Sequence, residues 1–108
     1  MSAGALFAQP KLERKGNTAH IIANDKPMLM IGGEMGNSSA STLDDVSRYF
    51  AHLNRLGLNT VLAPVSWELI EPQEGVFDMS TVDNLLTEAR KNDLKVVVLW
   101  FGAWKNSI

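Results

Sequence analysis

Residues 60–77 read Thr-Val-Leu-Ala-Pro-Val-Ser-Trp-Glu-Leu-Ile-Glu-Pro-Gln-Glu-Gly-Val-Phe. Leu58–Val65 is apolar and almost continuous, the pattern of a strand buried on both faces in a parallel sheet. Pro64 belongs at its end, because proline gives the ladder no N–H. The character then changes. Trp67, Glu68, Glu71, Pro72 and Gly75 follow in a loop. The flanking segments read as the scaffold that holds this loop.

Upstream, Leu43, Val46, Phe50, Leu53 and Leu56 recur at helical spacing. Ser41 or Thr42 caps that helix, Asp44 and Asp45 suit its positive end, and Gly57 stops it. Downstream, Ser80 or Thr81 caps a second helix. Its buried face is Val82, Leu85, Leu86 and Ala89, with Glu88, Arg90 and Lys91 outside. Asn92-Asp93 breaks it, and Lys95–Trp100 is a β-branched core strand. The joints Leu56–Val61 and Lys91–Val96 are alike, each carrying a helix end into a strand.

Nearer the start, Thr18–Ala23 and Met28–Gly32 flank the turn Asn24-Asp25-Lys26-Pro27 and form a hairpin. The second run lacks alternation and reads as a buried core strand. Gly32–Ser39 is a loop. It has no phosphate-binding glycine spacing, and its glycines serve to turn the chain off the strand end. The order is hairpin, then strand–helix–strand–helix–strand, which predicts a parallel sheet. A barrel of eight such units takes about 250 residues, and this chain has 108. The expected fold class is therefore α/β: the first β/α units of a TIM (β/α)8 barrel preceded by a β-hairpin, with the barrel incomplete in this chain. Residues 18–108 would be the N-terminal portion of that barrel and residues 1–17 a tail.

The net charge of −2 gives no basic footprint for nucleic acid. The absence of cysteine excludes disulfides and thiolate chemistry. No apolar run approaches the roughly 18 residues that span a membrane; the longest, Val96–Trp104, ends at Lys105. Met1–Ala8 is small and apolar without a basic residue, so it is either a terminal tail or the remnant of a clipped signal peptide with Ala8-Gln9 at the junction. The second option implies a periplasmic or secreted location. His20 and His52 stand alone and read as structural.

In a parallel barrel, function lies at the C-terminal strand ends. Those ends carry Glu34 after the first strand, Trp67 and Glu68 after the second, and Trp100, Phe101, Trp104, Lys105 and Asn106 after the third. Aromatic faces stack on the apolar faces of sugar rings, while carboxylates and amides bond hydroxyls. This set suits a carbohydrate site. Packing of Trp67 and Trp100 at the rim of the core is the competing reading. Glycoside hydrolysis needs two carboxylates. Glu68 and Glu71 are close in sequence, but Glu71 precedes Pro72 and Glu74 precedes Gly75, which reads as turn punctuation.

Asn59, Trp67, Glu71-Pro72, Gly75 and Phe77 are in register with a pattern of β-galactosidases. Asn59–Phe77 resembles the segment that follows the second barrel strand in many members of glycoside hydrolase family thirty-five and the related family forty-two. Gly32-Gly33-Glu34 resembles the end of the first strand, and Ser41–Leu56 and Asp83–Leu94 fit the first two helices. The resemblance covers roughly Pro27–Trp104. Pro64 stands where family thirty-five usually has Tyr, and Glu68 where it has Asn. Phe101-Gly102-Ala103-Trp104 differs from its Gly-Pro-Tyr.

The resemblance implies a retaining hydrolase of terminal β-galactosides or related glycosides, with no cofactor and no metal. Its acid/base Glu follows the fourth strand and its nucleophile the seventh, so no catalytic residue carries over to this chain, which should be inactive alone. Glu34, Trp67, Glu68, Trp104 and Asn106 are the expected substrate-binding residues, and an oligosaccharide or glycoside the expected partner. The alternative is a small free-standing α/β module that binds a carbohydrate or a partner without catalysis, self-associating through its open sheet edges.

Overall fold

The computed structural model describes residues 9–103. The chain divides into two compact units, one ending at Met30 and the other starting at Ile31.

The first unit is an antiparallel sheet of three strands, β1 (Lys11–Lys15), β2 (Thr18–Ala23) and β3 (Lys26–Met28), in that order. Gly16-Asn17 joins β1 to β2, with Gly16 at φ 61°. Asn24 and Asp25 join β2 to β3, and both take positive φ, 51° and 61°. That two-residue turn matches the right-handed twist of the strands it connects. The polar stretch before Gly16 thus forms a strand and extends the expected hairpin to three strands.

The run Met28–Gly32 is not one buried strand. Met28 ends β3, Gly32 begins β4 (Gly32–Glu34), and Leu29, Met30 and Ile31 between them are exposed. Two different sheets claim the two ends of the apolar run, and the Ile31 carbonyl between them accepts from the N–H groups of Asn59 and Thr60 at the start of β5.

The second unit holds β4, α1 (Leu43–Arg55), β5 (Thr60–Ser66), α2 (Trp67–Ile70), α3 (Ser80–Lys91) and β6 (Lys95–Phe101). Its sheet is parallel in the order β4-β5-β6. Val46 and Phe50 of α1 and Leu85 and Ala89 of α3 close over Val61, Ala63 and Val65 of β5, with Leu53, Val82 and Val96 at the margin. Leu43 and Leu56, at the ends of the α1 stripe, are exposed. Pro64 lies inside β5 rather than at its end. The Met35 N–H bonds the Leu62 carbonyl at 2.9 Å, so Leu62, and Pro64 two residues on, turn their backbone polar groups toward the β4 side. The last register pair of β4 with β5 is Glu34 with Leu62, so no β4 partner is left wanting where proline lacks its N–H.

Gly33 makes this packing close. A Cβ there would meet Leu53 Cδ2 at 2.8 Å and Leu58 Cδ1 at 3.2 Å. Its φ is not positive. The glycine therefore makes room for a helix and does not turn the chain.

Thr42 caps α1, accepting from the Asp45 N–H at 3.2 Å. The N-cap position of α3 is Met79, not one of the expected hydroxyls, and Asp78 just before it accepts from the Ser80 N–H through Oδ1 at 2.9 Å. Both long helices end alike. Gly57 at φ 79° and Asp93 at φ 52° turn the chain, and the N–H groups of Leu58 and Leu94 reach back to the carbonyls of Leu53 and Ala89. This is the Schellman closure, in which the next residue packs an apolar side chain under the helix end. Glu88 is buried, not outside. It lies in the seam between α3 and α1, where Lys91 Nζ at 2.9 Å and the Ser47 hydroxyl hold its carboxyl below the usual carboxylate range.

Asn59 ties the N-terminal ends of the strands together. Its Oδ1 accepts from the Ile31 N–H and from the Thr60 hydroxyl, each at 2.9 Å. Its N–H donates to the Ile31 carbonyl, and its carbonyl accepts from Lys95 N–H at 2.8 Å.

Candidate functional site

Because the three strands are parallel, their C-terminal ends open at one end of the sheet. Register decides which face each terminal residue occupies. Gly33, Val61 and Val96 are partners, and the contacts of Gly33 and Val61 place that row on the helix face. Side chains alternate along a strand. Ala63, Val65, Val98 and Trp100 therefore share the helix face. Gly32, Glu34, Thr60, Leu62, Pro64, Ser66, Val97, Leu99 and Phe101 share the other. A Cβ built on Gly32 meets Leu62 Cδ1 and Thr60 Cβ at 3.4 Å, as that assignment requires.

The expected binding residues fall on both sides of this division. Glu34 ends β4 on the face away from the helices and is exposed. Trp67 opens α2, and its ring meets Trp100 edge-on at 5.4 Å and Phe77 edge-on at 6.4 Å. Trp100 is half exposed and leaves the sheet on the helix side, so this aromatic cluster sits at the outer rim. Glu68 follows on the exposed first turn of α2, while Ile70 at the end of the same short helix is buried. Trp104 and Asn106, like Lys105 and Met1–Ala8, lie outside the described residues.

Glu71 has a structural task. Its Oε1 accepts from the Gly75 N–H at 2.7 Å, Gln73 bridges to Val76, and the Asp78 N–H closes on the Ile70 carbonyl at 2.7 Å. Gly75 takes φ 78°. The Glu-Pro-x-x-Gly pattern is thus a turn held by its own carboxylate, which delivers the chain from α2 to the cap of α3. Among the described residues, no group of three His, Cys, Asp or Glu could hold a metal ion, and no helix is long and apolar enough to cross a membrane. A shallow depression lined by Arg48, Tyr49, His52 and Arg55 lies on α1, on a different element from the strand ends.

The sequence reading named Phe101 at a strand end but did not name Ser66, and it did not place either on the face that Glu34 occupies. The signal was period-two alternation counted from Gly33 across the sheet. Bulk drew attention to Trp100 instead.

Residues 39–100 match the family model for β-galactosidases of glycoside hydrolase 42. No curated protein sequence matches the chain. Among solved structures, the exo-β-1,4-mannosidase Op5Man5 of Opitutaceae bacterium strain TAV5 superposes with a TM-score of 0.62 at 22% identity. The match covers 79% of this chain and 17% of that one. A GH5_18 protein of Bifidobacterium longum subsp. longum, solved in complex with Manb1-4GlcNAc, gives a TM-score of 0.52 at 16% identity. It is covered over 21% of its length by 70% of this chain. At these identities the likeness is one of fold, and the chain spans about a fifth of each structure.

Proposed function

We propose that this chain, which belongs to the β-galactosidase family of glycoside hydrolase 42, supplies the first β/α units of a (β/α)8 barrel that hydrolyses terminal β-galactosides or related glycosides by a retaining mechanism. The observation that carries the reading is the family match from before α1 to the penultimate residue of β6. The parallel order of β4, β5 and β6, with α1 and α3 packed on one face, supports it. Retention needs an acid/base carboxyl and a nucleophilic carboxylate about 5–5.5 Å apart. We assign neither to this chain: Glu71 is engaged in its own turn, and Glu34 and Glu68 follow the first two parallel strands, whereas the family resemblance puts the pair after the fourth and seventh.

Glu34 is the leading candidate for a hydroxyl contact, since it ends a strand on the face away from the helices. Glu68 is the next, with Trp67 offering only the ring surface its aromatic neighbours leave open. Trp104 and Asn106 remain proposals from sequence. No cofactor enters the reaction. The solved structures alike in fold are titled as a mannosidase and as a complex with a mannosyl disaccharide, so the placement of the catalytic pair is tested with three sugars. Nitrophenyl β-galactoside, β-glucoside and β-mannoside should all survive incubation with the 108-residue chain. Galactoside hydrolysis by the pure chain that is lost in Glu68→Gln would overturn the placement of the catalytic pair.

A further inference from the structure

We infer that Phe101, and not the more conspicuous Trp67–Trp100 pair, is the aromatic platform on which this end of the sheet seats a sugar ring. The inference rests on the carbohydrate reading above and assigns residues within it.

Three observations carry it. First, Phe101 is the register partner of Ser66, and Glu34 that of Leu62. All four lie on the face away from α1 and α3. Phe101 and Ser66 are the last residues of two neighbouring strands and lie in one row, whereas Glu34 ends β4 level with Leu62, four residues below that row. Second, Trp100 and Trp67 are committed elsewhere. Trp100 projects on the helix side, and its ring packs edge-on against Trp67, which packs edge-on against Phe77. A Cβ on Gly102 would meet Trp100 Nε1 at 3.1 Å, so the backbone closes in on that indole from beyond the strand. The pair buttresses the rim. Third, the face carrying Phe101 is apolar at Leu62, Pro64, Val97 and Leu99, with a buried hydroxyl at Ser66 and a carboxylate at Glu34. An apolar surface with few polar groups is the composition of a small-ligand site. In a β-galactoside the axial hydroxyl leaves one ring face with C–H bonds only. That face stacks on a phenyl ring.

The test is a titration of the isotopically labelled chain with methyl β-galactoside, followed by NMR. Saturable shifts are expected at the amides of Ser66 and Phe101 and at the Phe101 ring, with the indole N–H signals of Trp67 and Trp100 unmoved. Phe101→Leu keeps the strand and the apolar volume but removes the π face. It should weaken binding about tenfold, and Trp100→Leu should leave it within about twofold. Shifts centred on the indoles, or unchanged affinity in a folded Phe101→Leu chain, overturn the assignment. The same pattern with methyl β-mannoside and not the galactoside upholds Phe101 and sinks the galactoside reading. Silence with both sugars overturns both.

Discussion

The tightest contact in the second unit is the one Gly33 avoids. Replacing it with alanine places a methyl 2.8 Å from Leu53 Cδ2 and 3.2 Å from Leu58 Cδ1. Carbon atoms in contact prefer about 3.5–4.0 Å, so Leu53 must retreat by about 1 Å. The obstacle is the end of a flexible side chain, so part of the strain relaxes. The expected cost is about 1–2 kcal/mol, the lower range for overpacking. In a chain of this size that lowers Tm by roughly 5–15 °C. Gly32→Ala is the control. Its nearest neighbours stand at 3.4 Å, and the change should cost under about 1 kcal/mol. Thermal and denaturant unfolding of Gly33→Ala, Leu53→Val and the double variant completes the cycle. Shortening Leu53 should recover at least about 0.5 kcal/mol of the Gly33→Ala loss, since the two sites touch. If Gly33→Ala is neutral, or its cost is unchanged beside Leu53→Val, the close approach of β4 to α1 is not what the glycine serves.

The two Schellman joints should respond oppositely: Asp93→Gly relieves a positive φ and should stabilise by about 1 kcal/mol, while Gly57→Ala should cost a similar amount, both read from denaturant midpoints. Glu71→Ala should cost about 1 kcal/mol and speed hydrogen exchange at the Gly75 amide, with Glu71→Gln intermediate because it keeps an acceptor. Glu88 gives a pH signature. Its folded carboxyl titrates below the ordinary 4.5, so its contribution is complete above that pH and is lost as the pH falls through the lower folded value. Glu88→Gln should therefore flatten the acid limb of a stability–pH curve, and an unchanged limb would count against the Lys91 and Ser47 contacts.

What the sequence made legible was set by periodicity and by turn chemistry. The α1 stripe through Val46 and Phe50, the stop at Gly57 and the repeated joint at Asn92-Asp93 were readable because each is a local rule. The Glu71–Gly75 turn was readable as punctuation for the same reason. Glu88 was not: its position beside Ala89 on α3 reads as surface until Ser47 of α1 arrives to share the seam. Met28–Gly32 misled because an apolar run carries no mark of where one sheet ends and another begins. Asn59 looked like part of a family pattern, and its work as a clamp on Ile31 depends on a strand far away in sequence. At the candidate site, Trp67 and Trp100 drew attention by size, whereas the face a residue occupies is fixed by register across three strands.

The outer edge of β6 has a consequence for how such a polypeptide survives its own synthesis. Among the described residues no strand pairs with that edge, and it offers Val-Val-Val-Leu-Trp-Phe without a charge or a proline. Val98 and Trp100 are exposed beside it. Such a segment templates association between copies. Chains emerge N-terminus first, at about 5–20 residues per second, so β6 waits in this sticky state until something covers it. Expression yield would then hinge on chaperone holding and on slow growth temperature, and Lys at position 98 would act as a gatekeeper without touching the face of Glu34 and Phe101.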